Sequence, residues 1–372
     1  MIAVIADDFT GAAELAGISL RYGLTAELST GDVTATTADV LIVSTDSRSF
    51  EKEKALEITS TALKQVLELK PVFIYKKIDS VLRGYVTNEL KLQMKLAGLT
   101  KAFVLPANPS LGRIISNGIY YVQGMPVAET GFAADPEFPA KSSFVEQILN
   151  DASVAVVKST DELSADKIFV GEASTEADVK QWADKVDSAF VLAGAGDFYT
   201  ALLAKKYQQR NQPQLQLQAP FMYVCGTAYD QSVNYVKAVA EKKQVVAYLS
   251  EKLITGEEDE QWFLHCKEMI NREQKIIVGF DAAKIPAGTT AVTLRSVMAK
   301  VVKKLLQQNQ VKEVLVEGGS SAMALFHEMN IYQLIPVNEL SRGVVQMKAG
   351  EWFITVKPGS YPLAEEVKKI FE

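Results

Sequence analysis

The first fourteen residues constrain the fold of this chain more than any other segment. Residues 2–6 are all apolar and the run is too short for a helix, so it predicts a buried strand. Two adjacent acids, Asp7 and Asp8, end the run, and Thr10 and Gly11 lead into a helical pattern. The segment therefore predicts a strand, a loop with two carboxylates and a hydroxyl, and a helix. In open α/β sheets such loops lie at the carboxyl ends of the strands and form the ligand crevice.

The acids of this loop have two interpretations. Asp8 or Thr10 alone would serve as the N-cap of the following helix by accepting a backbone hydrogen bond. A cap needs only one acceptor side chain, however, and the loop offers two carboxylates. We therefore favour a functional role for this pair of acids.

A second charged segment follows another buried strand pattern at residues 72–75. Charged and hydroxyl side chains crowd the residues after it: Lys77, Asp79, Ser80 and Arg83. An arginine fork binds a carboxylate through two parallel hydrogen bonds, so we predict that Arg83 anchors an acidic substrate. The alternative is an ion pair between Arg83 and Asp79 that closes the loop. Arg113, which follows a loop with two prolines and a glycine, is either a second anion contact or a surface residue.

The length of 372 residues predicts about two domains. The clearest shift in composition is residues 211–220, which contain prolines and glutamines and no charge, so we interpret them as a linker. Strand and helix patterns alternate on both sides of it. The sequence therefore predicts two α/β domains with largely parallel sheets, residues 1–210 and 221–372.

Composition argues against several classes of protein. The net charge is −6 and no long basic run is present, which argues against a partner nucleic acid or a membrane surface. No apolar run approaches membrane-spanning length, and the first residues lack the basic region of a signal peptide. Two cysteines and two histidines are too few and too scattered for a metal site. We predict a cytoplasmic protein without a metal-ligand cluster.

Glycine turns follow strand patterns in the second half of the chain, at Gly226-Thr227, Gly318–Ser321 and Lys357–Ser360. A glycine turn that opens a helix suits a phosphate chain, because glycine allows close approach and the helix N–H groups favour anions. A plain turn with a serine cap is the alternative. A further glycine pair, Gly194 and Gly196, half-matches a dinucleotide fingerprint, and we interpret it as a tight strand-to-helix turn.

These motifs together resemble the four-carbon acid sugar kinase family, ATP-dependent kinases of threonate, erythronate and 3-oxo-tetronate. The segments that carry the resemblance occur in the family's order, at residues 5–17, 75–84, 105–118, 193–197, 316–322 and 357–360. The resemblance implies an N-terminal domain that holds the acid sugar and a C-terminal domain that holds ATP, with Mg²⁺. It also implies an active site in the cleft between the domains.

Carried over by position, the resemblance implies that Asp8 and Arg83 act on the substrate side, with Asp7, Asp79 and Ser80 beside them. We predict catalytic roles for Asp8, which would accept the proton of the attacking hydroxyl or orient that hydroxyl, and for Arg83, which would clamp the substrate carboxylate. The sequence leaves open whether Asp7 or Asp8 is the base, because adjacent residues in a loop can each point inward. Additional substrate contacts are predicted for three residues: Thr10, Lys77 and Arg113. The residues implied to line ATP are Thr227, Gly318, Gly319, Ser320, Ser321 and Gly359.

The C-terminal motifs depart from the family's pattern in three places. The turn Gly226–Tyr229 replaces a serine-rich turn, Ser320-Ser321 replaces an acid and a threonine, and Pro362 stands near a usual glycine. The residues leave two other functions as alternatives to the kinase. One is a nicotinamide-dependent dehydrogenase of sugar acids, which rests on Gly194 and Gly196. The other is a sensor that binds a sugar acid without turnover. The sequence leaves the number of subunits open, a homodimer included.

Overall fold

The computed structural model describes residues 1–135, 137–210, 217–227, 229–308, 310–359 and 361–372. The chain divides into two compact units, Met1–Asn211 and Gln212–Glu372. Both units are built from alternating strands and helices, as the sequence predicts. Six residues of the predicted linker 211–220, namely 211–216, lie outside the described residues, so this linker and the domain limits drawn from it stay predictions.

The first unit contains the strands β1 Ile2–Ala6, β2 Ala26–Ser29, β3 Val40–Ser44, β4 Ile74–Lys77, β5 Lys101–Leu105, β6 Arg113–Ser116, β7 Ile119–Val122, β8 Met125–Pro126, β9 Val154–Val157, β10 Ile168–Gly171 and β11 Phe190–Gly194. Its helices are α1 Phe9–Arg21, α2 Lys52–Glu68, α3 Val86–Ala97, α4 Val145–Leu149, α5 Glu176–Lys185 and α6 Gly196–Ala204.

The main sheet of this unit has the strand order β2-β3-β1-β4-β11-β5-β10-β9, and each of these neighbouring pairs is parallel. All five residues of β1 are buried, which explains its uniformly apolar sequence, because helices cover both faces of a parallel sheet. Ala3 and Ile5 pack in one core cluster with Leu63 and Val66 of α2. Helix α1 contacts α6, and α2 contacts α3.

A small antiparallel sheet, β6-β7-β8, follows β5. A hairpin turn at Gln123-Gly124 joins β7 to β8, and both turn residues have positive φ, 52° and 82°. This backbone matches a two-residue hairpin turn of the kind that follows the right-handed twist of strands.

The second unit contains the strands β12 Phe221–Cys225, β13 Val246–Tyr248, β14 Lys275–Gly279, β15 Glu313–Glu317, β16 Gln333–Ser341, β17 Val344–Ala349 and β18 Trp352–Lys357. Its helices are α7 Asp230–Lys242, α8 Glu251–Thr255, α9 Glu260–Glu273, α10 Ala291–Gln308, α11 Gly319–Met329 and α12 Glu365–Phe371.

The sheet of the second unit has the order β13-β14-β12-β15-β18-β17-β16. The strands from β13 to β18 in this order pair in parallel, whereas β17 is antiparallel to both β18 and β16. One core cluster of this unit joins Tyr223, Ile277 and Leu315 of the sheet to Val367 and Phe371 of α12. No helix among the described residues of either unit is long and apolar enough to cross a membrane.

Candidate active site

The register of the first unit's sheet brings the predicted loops side by side. Ser44, Ala6, Lys77 and Gly194 are aligned as the last residues of β3, β1, β4 and β11, and Gly194 aligns with Leu105 of β5. The segments that follow these residues carry the acids, lysines and arginines singled out in the sequence. The segments after β1, β3 and β4 lead into different helices. Open α/β sheets bind ligands where such connections diverge at the carboxyl ends of neighbouring strands.

Arg48 lies among three carboxylates at this edge. It belongs to the 3-10 turn Ser47–Ser49 after β3. Its Nη2 donates to Asp8 Oδ2 at 2.5 Å and its Nη1 donates to Asp79 Oδ1 at 3.1 Å, while Asp7 Oδ2 lies 3.6 Å from Nη1. The pKa of Arg48 is raised well above its ordinary value, because the attraction of Asp8, Asp7 and Asp79 outweighs the effect of burial. Arg48 therefore remains charged and holds the acids together.

Asp8 is both the N-cap of α1 and part of this charge cluster. Its Oδ1 accepts the backbone N–H of Gly11 at 3.0 Å, and its Oδ2 accepts the Thr10 hydroxyl at 2.6 Å. Although burial opposes it, the positive charges of Arg48 and Lys77 and the Thr10 hydrogen bond lower the pKa of Asp8. Both interpretations of Asp8 are thus compatible with its geometry, since capping uses only one of its oxygens.

Asp7 differs sharply from its neighbour. It is buried, and its Oδ1 has no hydrogen-bond partner among the described residues. Burial raises the pKa of Asp7 to about 6, with Arg48 opposing the shift and Asp8 adding to it. Adjacent carboxylates with separated pKa values are typical of sites that hold or move protons.

Arg83 forms the ion pair that the sequence offered as the alternative to substrate binding. Its Nε and Nη2 donate to the two oxygens of Asp79 at 3.0 and 2.8 Å, and its Nη1 donates to Asp135 Oδ2 at 2.7 Å. Asp79 also accepts the backbone N–H groups of Val81 and Arg83, and its pKa lies well below the ordinary value because Arg48 and Arg83 outweigh burial. A substrate role for Arg83 stays a prediction.

Arg113 lies at the same edge, as the sequence allowed. Its Nη1 donates to the hydroxyl of Ser80, and its guanidinium carbon lies 5.8 Å from the centre of the Phe132 ring. The guanidinium carbon of Arg83 lies 5.3 Å from the same centre. One aromatic ring therefore holds two arginines by cation–π attraction.

The two lysines of β4 point to opposite faces of the sheet, as alternate residues of a strand do. Lys76 forms a buried ion pair with Glu89 of α3, 2.7 Å from Nζ to Oε2. Lys77 donates to the carbonyl of Ile78 at 2.9 Å and lies 3.8 Å from Glu14 of α1. Of the two, only Lys77 was predicted as a site residue.

Sequence reasoning missed Arg48, Glu14, Glu89 and Asp135 as members of this cluster. Arg48 carried the same signal as the first two acids, because it stands in a polar segment directly after a buried strand. Glu14 and Glu89 lie within helical patterns, where a charged residue predicts a solvated face. Asp135 lies far along the chain, in a segment without a regular pattern.

The Gly194–Gly196 turn is a packing feature. A Cβ at Gly194 would lie 2.8 Å from the Tyr75 hydroxyl, and one at Gly196 would lie 2.7 Å from Glu14 Oε1. Asn108 Oδ1 accepts the backbone N–H of Asp197 at 3.0 Å. Close contact between neighbouring strands and helices therefore explains these glycines, in agreement with their interpretation as a tight turn.

The second unit brings its own glycine turns together. Cys225 of β12 aligns with Glu317 of β15, which aligns with Lys357 of β18, so the three turns follow adjacent parallel strands. Ser321 Oγ donates to the carbonyl of Gly226 at 3.4 Å, and a Cβ at Gly359 would lie 3.0 Å from Thr227 Oγ1. Ala228 and Ser360 of these turns lie outside the described residues.

The start of α11 fits a phosphate chain. Gly318 has φ of +97°, and it precedes the helix without a side-chain cap. Gly319 is the first helical residue, Ser320 is exposed and Ser321 is buried. Free N–H groups at a helix start and a glycine before them are what an anion requires. This arrangement fits the phosphates of a nucleotide.

Beneath these turns lies a buried charged pair. Lys357 Nζ lies 2.9 Å from Glu317 Oε1, and both side chains are fully buried. Tyr223 and Ser232 donate to the two oxygens of Glu317. Lys357 also donates to the carbonyls of Pro358 and Gly359 at 3.0 and 3.3 Å. The pair therefore fixes the turn after β18 to β15, the strand that leads into the turn Gly318–Ser321.

Two curated relatives are similar to part of this chain. A D-threonate kinase of Salmonella typhimurium is 36% identical over 149 residues, which cover 39% of this chain and 35% of the relative. A D-erythronate kinase of Heliobacterium modesticaldum is 31% identical over 158 residues, which cover 40% and 35%. The match thus spans about a third of each relative's length. These relatives confirm the resemblance that the motifs indicated.

Solved structures show the same fold over the whole chain. A Haemophilus influenzae protein of the DUF1537 family has a TM-score of 0.76 at 18% identity, covering 99% of this chain and 98% of its own. A Bordetella bronchiseptica protein with a domain of unknown function, solved as a domain-swapped dimer with bound citrate, has a TM-score of 0.50 at 21% identity, covering 100% and 97%. At these identities the likeness concerns the fold alone.

A family model described as "Sugar-binding N-terminal domain" matches residues 2–202, which is more than half of the chain and includes the whole charged cluster of the first unit. This chain therefore belongs to the family of proteins with that sugar-binding N-terminal domain.

Proposed function

We propose that this protein is an ATP-dependent kinase that phosphorylates the terminal hydroxyl of a four-carbon sugar acid of the threonate, erythronate or 3-oxo-tetronate type. The observation that carries the proposal is the cluster at the carboxyl ends of β1, β3 and β4. It combines two differently tuned acids, Asp7 and Asp8, with the arginines that an acidic substrate requires. The names of the relatives supply the reaction class.

The substrate's carboxylate would be bound by Arg113 and by the Nη1 edge of Arg83. In the described part of the chain Arg113 forms no ion pair with a carboxylate, and its Nη1 donates to the neutral hydroxyl of Ser80. Phe132 lies against both guanidinium groups. A pair of oriented guanidinium groups is the arrangement that recognises a planar anion.

We assign the orientation of the attacking hydroxyl to Asp8. Its side chain is more exposed than that of Asp7, 18% against 5%, so a bound substrate can reach it. Its lowered pKa is no obstacle, because phosphoryl transfer depends on positioning and electrostatic stabilisation more than on a strong base. Asp7 would influence the position of Asp8 through Arg48, which contacts both acids. Lys77, Thr10 and Asp79 would hold this arrangement in place.

In the second unit the residues that would hold ATP phosphates are Gly318, Gly319, Ser320 and Ser321, with Thr227 and Gly359 beside them. The positive φ of Gly318 and the uncapped start of α11 support this assignment. Mg²⁺ would bind through the phosphates and water with few protein ligands, as is usual for this ion. When bound, ATP with Mg²⁺ supplies the transferred phosphoryl group and offsets its charge.

The two alternatives differ in their support. A dehydrogenase rested on Gly194 and Gly196, and contacts inside the first unit account for both glycines. A sensor without turnover keeps the charged cluster and remains an outcome of the test. A homodimer also remains a proposal, since the domain-swapped dimer is a property of the Bordetella protein.

The test measures ADP release from ATP and Mg²⁺ with D-threonate, L-threonate, D-erythronate, L-erythronate and the 3-oxo-tetronates. We expect release above the background without acid for at least one of them. Asp8→Asn should then lower kcat about a hundredfold or more, the usual scale for removing an oriented proton acceptor, while the Kd for ATP stays within twofold.

Two results would contradict the proposal. Silence across the panel with tight binding of an acid would favour the sensor. A fluorescence response to NADH together with oxidation of an acid would favour the dehydrogenase. If Asp8→Asn leaves kcat unchanged, Asp8 is a helix cap and another residue orients the hydroxyl.

A further inference from the structure

Asp135 is a charged residue that the proposed function leaves unused. It follows the 3-10 turn Gly131–Ala134, and its Oδ2 accepts a hydrogen bond from Arg83 Nη1 at 2.7 Å. Its Oδ1 accepts the backbone N–H groups of Glu137 and Phe138 at 3.1 and 2.8 Å. The carboxylate is thus held by its own turn with one oxygen directed at Arg83.

The two edges of the Arg83 fork have different surroundings. Nε and Nη2 are bound to Asp79, which is buried and also held by Arg48 and the N–H of Val81. The contact with Asp135 is more open, because the side chains of Arg83 and Asp135 are 27% and 18% exposed. An incoming anion can therefore reach Arg83 at the edge that Asp135 occupies, but not at the edge bound to Asp79.

We propose that Asp135 is a specificity-determining residue whose carboxylate occupies the place on Arg83 that the carboxylate of the acid substrate takes. Binding exchanges one carboxylate for another at Nη1, and Asp135 Oδ2 moves away from Arg83 with the charge of the group intact. This inference rests on the proposed function for the substrate class. It goes beyond it by naming the group that the substrate displaces.

The exchange explains how the site would select acids over neutral sugars. A sugar acid replaces the charge–charge contact that Asp135 gives up, so Arg83 remains paired. A neutral polyol offers no charge in return, so it does not displace Asp135; a displacement would leave a partly buried guanidinium without its second anion, which is costly. Discrimination by a penalty on the wrong ligand is a common route to specificity. The contacts of Arg83 with Asp79 and the Phe132 ring keep the guanidinium in place during the exchange.

The test compares Asp135→Asn with the wild-type chain by isothermal titration calorimetry and ADP-release kinetics. Asparagine keeps the acceptor oxygen that the turn requires and removes the charge that competes for Arg83. We expect the Kd and KM of the active acid to fall about tenfold, the effect of one charge-assisted hydrogen bond, while kcat stays within twofold. The neutral alditols threitol and erythritol, used as uncharged probes, should not bind more tightly to the variant.

Glu137→Gln is the matched control, because Glu137 is an exposed acid on the same loop that makes no ion pair in the described part of the chain. Its Kd for the acid should stay within twofold of the wild-type value. An equal gain for Glu137→Gln would mean that any negative charge on the loop has this effect. An equal gain for the alditols would mean that the effect does not depend on the charge of the ligand. Either result overturns the inference.

The outcome for Asp135 is separable from the outcome for the kinase. If no acid stimulates ADP release but Asp135→Asn binds one of the acids more tightly, the proposed function fails and the exchange stands. Unchanged or weaker binding of every acid by Asp135→Asn, the absence of any binding included, overturns the exchange even where ADP release is observed.

Discussion

Asp7 and Glu313 are buried carboxyl groups with raised pKa values, and they differ in whether they belong to the charged cluster. Burial raises the pKa of Asp7 to about 6 and that of Glu313 to about 7. Each has one oxygen without a hydrogen-bond partner among the described residues. Asp7 lies in the charged cluster, whereas Glu313 is the first residue of β15, at the end of that strand away from the glycine turns. An ionised carboxyl in such surroundings destabilises the fold.

We therefore predict that Asp7→Asn and Glu313→Gln each stabilise the protein at neutral pH by about 2–3 kcal/mol. A raised pKa means that the folded state binds more protons, so stability is lost as pH rises through the folded pKa. The gain from each substitution should accordingly be larger at pH 7.5 than at pH 5. Urea unfolding at the two pH values measures it.

The catalytic activity of the two variants distinguishes Asp7, which we place in the site, from Glu313, which is buried outside it. Asp7→Asn should lower kcat at least tenfold, because Arg48 loses one of its three anions and reorients the others. Glu313→Gln should leave ADP release within twofold. A loss of stability in Asp7→Asn would contradict the predicted cost of burying its charge, and equal activity in both variants would contradict a role for Asp7 in the site.

At the scale of elements, the sequence predicted the parallel strands and their helices well. Strands such as β1 are buried on both faces and appear in the sequence as short apolar runs. Asp8, one of the two cap residues that the sequence offered, is the N-cap of α1. The strands β16, β17 and β18 were not predicted. Buried polar residues, among them Asn338, Gln346 and Thr355, interrupt their apolar pattern, so no period of two is visible in the sequence.

The candidate site was predictable as a set of loops, but its pairings were not. Adjacent acids and a dense basic segment at strand ends identified Asp7, Asp8 and Arg83 without any coordinates. Which cation faces which acid depends on the order of strands in the sheet, and that order places Arg48 beside Asp8. The contact between Arg83 and Asp135 joins residues 52 positions apart and leaves no trace in local sequence.

The turn before α11 yields a prediction at this scale. Gly318→Ala places a Cβ at φ of +97°, which should cost about 1 kcal/mol of stability. It also crowds the proposed phosphate site, so KM for ATP should rise about tenfold while KM for the acid changes little. Steady-state kinetics with each substrate varied in turn measures both constants.

Gly256→Ala is the control for that prediction. Gly256 ends α8 in the same unit with φ of +90°, and a Cβ there would meet nothing within 4 Å. The substitution should cost a similar amount of stability and leave both KM values unchanged. If Gly318→Ala behaves like Gly256→Ala, the turn is a backbone feature and the phosphates bind elsewhere.

At the scale of the whole molecule, each unit has a core cluster of its own. One joins β1 and β3 to α2, and the other joins the sheet of the second unit to α12. Ligands that bind one unit should therefore stabilise that unit's local openings first, since protection against hydrogen exchange follows the free energy of local opening. The proposed function assigns the acid to the first unit and ATP to the second.

Hydrogen exchange followed by mass spectrometry tests this assignment in the full chain. A non-hydrolysable ATP analogue with Mg²⁺ should slow exchange in peptides that contain Gly226-Thr227, Gly318–Ser321 and Gly359. The active acid alone should slow exchange in peptides that contain Asp7, Asp8 and residues 78–83. Protection by the nucleotide of the first unit's loops, with none in the second unit, would reverse the assignment. The glycine turns of the second unit would then be structural, and the charged cluster would have to bind phosphate as well as acid.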